Sequence, residues 1–240
     1  MIGETEMKAV KTTVAVVVTL LLFFILFAGC IYFVIFNPGY LMSKYRTYDT
    51  AGQLSMNEAD LRYVTEGLVD YVKGKADSLD MVVSVRGEEA LFFNEKDVSH
   101  MKDVSDIIIF LRDTMVLAML AVLLFGFFLI FNKSKKEFRT GVLIADGIIF
   151  VLALLTVIAA NVNLNWLIVF AHGLVFNNMN WLLDPRYDNL IYLCPEQLFI
   201  DAGKTCGVIW IVFLILITVF AIILPRLQFS RPQASRREEK

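Results

Sequence analysis

Four stretches of this chain are free, or nearly free, of charge over lengths that suit a lipid bilayer better than a soluble core. No charged residue occurs between Lys11 and Lys44, and the centre of that stretch, Val14 to Phe36, is long enough as a helix to cross about 30 Å of hydrocarbon. Thr114 to Asn132 and Thr205 to Leu224 carry no charge, and Gly141 to Ala160 carries only Asp146. A soluble core scatters its apolar residues at helical or strand period. Here they fall in blocks, and 58% of the 240 residues are apolar against 19% charged. A further apolar run, Trp166 to Phe176, is too short to cross and reads as an interfacial or re-entrant segment. The expectation is a mainly α membrane protein with four spans, 14–36, 114–132, 141–160 and 205–224.

Lysine and arginine placement orients these spans. Lys133, Lys135, Lys136 and Arg139 crowd the short connection 133–140, and Arg226, Arg231, Arg236, Arg237 and Lys240 fill the tail 225–240. Lys8 and Lys11 precede the first span in segment 1–13. All three regions are expected on the cytoplasmic side, which is consistent with an even number of spans. The outer segments are then 37–113 and 161–204. Both carry more acidic than basic residues, so nucleic acid is not an expected partner. No span shows a polar stripe that would line a channel.

The cysteines Cys30, Cys194 and Cys206 have no metal-binding spacing, and of the three only Cys194 and Cys206 could pair outside the membrane. Phe27-Ala28-Gly29-Cys30 loosely imitates a lipoprotein cleavage site. The apolar run continues through Phe36, however, where a released lipoprotein would need a polar tether.

Within 37–113 the pattern predicts a small α+β domain. Asn37-Pro38-Gly39 ends the first span. Ser55-Met56-Asn57-Glu58 has capping-box form ahead of Leu61, Val64, Leu68 and Tyr71, with Gly74 as the stop. Met81 to Val85 and Ala90 to Phe93 read as strands around Arg86-Gly87-Glu88-Glu89. Asn94 then caps a helix that carries Glu95, Asp97, His100 and Asp103 toward the second span. In 161–204, Asn161, Asn163 and Asn165 mark a water-facing span end, and Trp166 and Trp181 suit headgroup depth. Asp184-Pro185 and Cys194-Pro195 are breaks in a stretch, Asn177 to Gly203, expected to be mostly loop and short helix.

The chain has two histidines, and both fall at the outer face in this topology. Asp97, His100 and Asp103 share one helix face, so a carboxylate could fix the imidazole tautomer and stabilise its charged form. A solvated interfacial histidine is the competing reading. His172 interrupts an apolar run at membrane depth, where an ionisable group is a functional candidate, the alternative being a neutral imidazole bonded to backbone. Asp146 lies toward the other end of its span and reads as structural. Arg112-Asp113 reads as a local or snorkelling pair, with an anionic headgroup role as an alternative for Arg112. Ser99 lacks the glycine-flanked elbow of a nucleophile.

Leu91-Phe92-Phe93-Asn94-Glu95 leading to His100-Met101-Lys102-Asp103-Val104, then Phe170-Ala171-His172 and Trp181-Leu182-Leu183-Asp184-Pro185, resembles the lipoprotein intramolecular transacylase family, Lit. The likeness spans nearly the whole chain and continues through Asp188, Pro195, Phe199 and Asp201. It departs at Ala171, which separates Phe170 from His172. The resemblance implies an acyltransferase of the bacterial cytoplasmic membrane, acting at its outer face without a cofactor. Its implied partners are membrane lipids and lipoproteins carrying diacylglyceryl on the N-terminal cysteine. The sn-2 acyl chain would move to that cysteine's α-amino group, giving the lyso-form. His100 and His172 are the implied catalytic pair, with His100 as base oriented by Asp103 and His172 on the intermediate or leaving oxygen, or the reverse. Glu95, Asp103, Trp181 and Asp184 are the supporting residues. Two other classes stay open: a metal-dependent membrane hydrolase using His100, His172, Asp103 and Asp184, and a non-catalytic protein that binds lipid or a partner.

Overall fold

The computed structural model describes residues 2–226; most of the basic tail lies outside the described residues. Four helices are long and apolar enough to cross a membrane, as the charge-free blocks require. They are α1 (Ile2–Gly29, continued by a π-helical segment Cys30–Ile35), α5 (Glu95–Phe131), α6 (Lys135–Val175) and α8 (Glu196–Ile223). Helix α1 packs along both α5 and α6, and α8 packs on α6. Close approach of α1 and α6 depends on Gly141, where an added Cβ would stand 2.4 Å from Ala15 Cβ and 2.8 Å from its carbonyl carbon. Asp146 on α6 accepts a hydrogen bond from Thr218 Oγ1 of α8 at 2.6 Å, a polar contact inside the bundle. Large apolar side chains elsewhere on the spans stay exposed, as a lipid-facing surface demands.

Between α1 and α5 lies a small domain: α2 (Pro38–Tyr48), α3 (Thr50–Leu54), α4 (Glu58–Val72) and a hairpin of β1 (Val82–Val85) and β2 (Glu88–Leu91). Asn37 caps α2 by accepting from Tyr40 N–H, and Pro38 occupies the first turn, where its missing N–H costs nothing. The cap of α4 lies two residues later than the sequence pattern suggests. Asn57 accepts from Asp60 N–H, whereas Ser55 lies in left-handed backbone at φ 47° and ends α3. The shift follows from α3, a short helix with no sequence signal of its own, which takes Ser55 as its terminus. Gly74, at φ +70°, ends α4 as expected. The hairpin is antiparallel with Val82 opposite Leu91, and Arg86 and Gly87 make its turn with positive φ at both positions. Tyr45, Leu54, Val64, Val72, Leu79 and Phe92 are almost fully buried in the domain core, which also takes in Leu190 and Leu193 of α7 (Leu190–Leu193). The segment before α8 is thus part of this core, and α8 begins directly after Pro195 rather than at the charge-free block.

Cys194 and Cys206 are not paired. All three cysteines are free. Arg112 makes the expected local pair with Asp113, at 2.8 Å.

Candidate active site

Helix α5 begins with a full capping box: Asn94 Oδ1 accepts from Asp97 N–H at 2.9 Å, and Asp97 accepts from Asn94 N–H at 3.4 Å. Five turns then precede the charge-free part of the helix, so His100, in the second of them, stands on a rigid element about four turns before that part. His172 arrives differently. Helix α6 breaks at Asn163 (φ −161°, ψ 95°), whose Oδ1 accepts from Trp166 N–H at 2.9 Å and restarts the helix over residues 164–175. That second stretch carries His172 back to α5, and the ring centroids of His100 and His172 lie 6.2 Å apart. Phe176 fills one side, 5.0 Å from His100 and 5.6 Å from His172, and Trp181 lies 4.9 Å from His172 on another.

The two imidazoles differ in environment. His172 is half-buried, and its Nδ1 lies 2.8 Å from the carbonyl oxygen of Ile168. A carbonyl only accepts, so Nδ1 carries the proton and the Nε2 lone pair of the neutral ring is free. His100 is buried, and its Nδ1 has no protein partner. Burial first, and the neighbouring His172 second, push His100 down to about 4, against a smaller upward pull from Asp103. His100 is therefore neutral at pH 7. One turn earlier Asp97 is fully buried, which raises it to about 6, with Oδ1 unpartnered.

The loop 177–189 is stitched to the first turns of α5 by polar side chains. Asn178 Nδ2 donates to Asp103 Oδ2 at 2.8 Å and Asn180 Nδ2 to Ser99 Oγ at 2.9 Å. Lys96 donates to Leu182 O and, at 3.0 Å, to Asp188 Oδ2, while Asn94 Nδ2 donates to Asp188 Oδ1 at 2.8 Å. Burial of Asp188 works to raise its pKa, but hydrogen bonds from the Asp184 N–H, Asn94 and Lys96 outweigh it and hold the carboxylate ionised.

Of the supporting residues read from sequence, Trp181 is at the pair. Asp103 is near it but bonded to Asn178, with no hydrogen bond to His100. Glu95 is exposed at the helix start. Asp184 turns to Arg186, at 2.6 Å, which holds the carboxyl down to about 2. Asp188, Asn178, Asn180 and Phe176 carry much of the site and were not singled out as site residues. Outside the family resemblance, Asp188 has no sequence signal of its own. The two asparagines had only their position before Trp181 to mark them. Among the described residues, no group of three His, Cys, Asp or Glu side chains could hold a metal ion.

A helical, multi-pass membrane fold with a histidine pair at the end of the bundle that bears the small domain defines the class. The family is then given by the family model described as "Lipoprotein intramolecular transacylase Lit", which matches residues 16–199, more than three quarters of the chain. The chain belongs to that family. Among solved structures it is similar to the in meso structure of the membrane-integral Lit of Bacillus cereus: TM-score 0.70, 18% identity, 91% of this chain and 95% of that one covered. Two variants of that protein, with a histidine replaced by alanine or by arginine, match at TM-scores 0.69 and 0.66. Both are 19% identical and cover 93% of this chain, against 96% and 92% of theirs. At these identities the likeness is one of fold. No curated protein sequence matches the chain.

Proposed function

We propose that this protein moves the sn-2 acyl chain of a diacylglyceryl-modified bacterial lipoprotein to the α-amino group of its N-terminal cysteine, leaving a lyso-form lipoprotein. The observation that carries the reading is the meeting of the chain's two histidines, distant in sequence, at 6.2 Å between ring centroids. At that spacing the two rings can both reach one reacting ester lying beside them.

His172 acts as base through Nε2, because its Nδ1–H is committed to the Ile168 carbonyl. The substrate ammonium gives one proton to solvent through this nitrogen. As the C–N bond forms, a second proton leaves the attacking nitrogen through His172 and ends on the glycerol oxygen when the C–O bond breaks. His100, kept neutral by burial, donates an N–H to the oxyanion of the tetrahedral intermediate. Of the two assignments open at the sequence level, this one agrees better with the hydrogen bonding. Because amine and ester belong to one molecule, holding its acyl chains supplies much of the rate.

Orientation follows the basic residues. His100 lies near the start of α5, and Lys133, Lys135 and Lys136 follow its far end, so the positive-inside rule puts that end and both termini in the cytoplasm and the histidines at the outer face of the cytoplasmic membrane. The lipids of a lipoprotein substrate lie in the outer leaflet, at the same level.

The test is mass spectrometry of the N-terminal lipopeptide of a reporter lipoprotein, in cells lacking N-acyltransfer. Transfer of one acyl chain from glycerol to amine at unchanged total mass supports the reaction; persistence of the diacylglyceryl form with well-expressed protein refutes it. Loss of activity on chelation, restored by zinc, would instead favour a metal-dependent hydrolase, although Asp184 is engaged by Arg186 away from the pair.

A further inference from the structure

Asp103 shares a helix face with His100, yet its hydrogen bond runs elsewhere. Asp103 Oδ2 accepts from Asn178 Nδ2 at 2.8 Å. Asn178 is the node of the loop in three ways: its Nδ2 reaches Asp103, its Oδ1 accepts from Asn180 N–H at 3.0 Å, and its carbonyl accepts from Trp181 Nε1–H at 2.9 Å. The indole so held has its ring centroid 4.9 Å from that of His172. Trp181 thus has its polar atom tied to the same residue that α5 grips through a carboxylate, and its ring packs against the imidazole that contributes the free Nε2.

We propose that Asn178 and Asp103 are positioning residues for His172: together they fix the Trp181 ring against it, and Asp103 serves this histidine through the loop rather than orienting His100. A ring held on one face limits the rotation of His172 about its side-chain bonds and keeps water from that face. A side-chain oxygen at position 103 can accept the Asn178 N–H whether it belongs to a carboxylate or to an amide. What Asp103 must supply is an acceptor oxygen; its charge is secondary.

The inference rests on the proposed reaction, and the experiment separates the two. Asp103→Asn keeps an acceptor for Asn178 and removes the charge; Asp103→Ala removes both; Asn178→Ala removes the donor. Expected are losses of roughly ten- to a hundredfold in kcat for Asp103→Ala and Asn178→Ala, a double variant no worse than either, and near wild-type turnover for Asp103→Asn. If Asp103→Asn falls as far as Asp103→Ala, the charge acts directly and the proposal is overturned; so too if Asn178→Ala keeps full activity. A second readout does not need turnover. In the full chain with Trp166→Phe and Trp210→Phe, Trp181 is the remaining indole, and a protonated imidazole in contact with it quenches its emission by accepting an electron. The emission should titrate with His172 when Asp103 is Asp or Asn and lose that titration in Asn178→Ala or His172→Gln. Titration that survives Asn178→Ala overturns the proposal. Absence of lyso-form product from the wild-type protein would refute the reaction while leaving this optical test to decide the positioning.

Discussion

The two ends of this molecule are held together by different physics. In the bundle, helices meet through close packing: Gly141 lets α6 touch Ala15, and a polar contact, Thr218 to Asp146, crosses between spans. At the other end, an apolar core of the soluble type lies beneath a loop fastened by charged and amide side chains, from Asn94 through Lys96 and Ser99 to Asp103. Lipid is as apolar as leucine, so burying leucine between spans gains little and contact area decides. Facing water, hydrophobic burial builds the domain, and polar stitches select one loop conformation above the histidines. The site sits where the second regime is laid on a rigid extension of the first.

The largest effect expected is chemical. His172→Ala should lower transacylation by about 10²- to 10⁴-fold, read by lipopeptide mass spectrometry, with thermal unfolding in detergent little changed. An equal fall in folded yield would mean the residue is structural. Next is the bundle: Gly141→Leu should force α1 and α6 apart and cost about 3 kcal/mol or more, seen as loss of monodisperse protein. A smaller cost, about 1–2 kcal/mol, is expected of Asn94→Ala, which loses the α5 cap together with two bonds to the loop, to Asp188 and to the Tyr187 carbonyl. Thr218→Val should cost only about 0.6 kcal/mol, as interhelical hydrogen bonds in membranes usually do; a larger loss would show that polar contacts matter as much in the bundle as at the loop.

The last prediction is a direction with pH. His100 titrates at about 4 when folded, below the ordinary imidazole value of 6.5, so unfolded chains take up a proton that the folded protein refuses. The stability linked to this group is present above pH 6.5 and is lost as pH falls toward 4. Relative to the wild type, His100→Gln should therefore gain in melting temperature as pH is lowered through that window. Asp97, raised to about 6 by burial, acts in the opposite sense, its contribution being lost as pH rises from about 4 to 6. Asp97→Asn should reveal the His100 effect at larger amplitude. A His100→Gln variant whose melting curve tracks the wild type at every pH would mean that His100 is not desolvated.

The sequence by itself determined the four helices, because a backbone in hydrocarbon must satisfy its own hydrogen bonds and an uncharged run of that length has few other solutions. It also determined the stop at Asn37-Pro38, the cap at Asn94 and the presence of the hairpin, each encoded in residues a few positions apart, although the turn is shorter than expected and Glu88 and Glu89 pair within β2. The two histidines were legible as candidates from their rarity and placement. Only the tertiary structure decided that they meet, that α6 breaks at Asn163 to bring His172 back, and that Asp103 bonds Asn178 instead of His100. Helical spacing lists which side chains can be neighbours on one element. Which of them pair is settled by the path of a loop from elsewhere in the chain, and that path has no local period to be read.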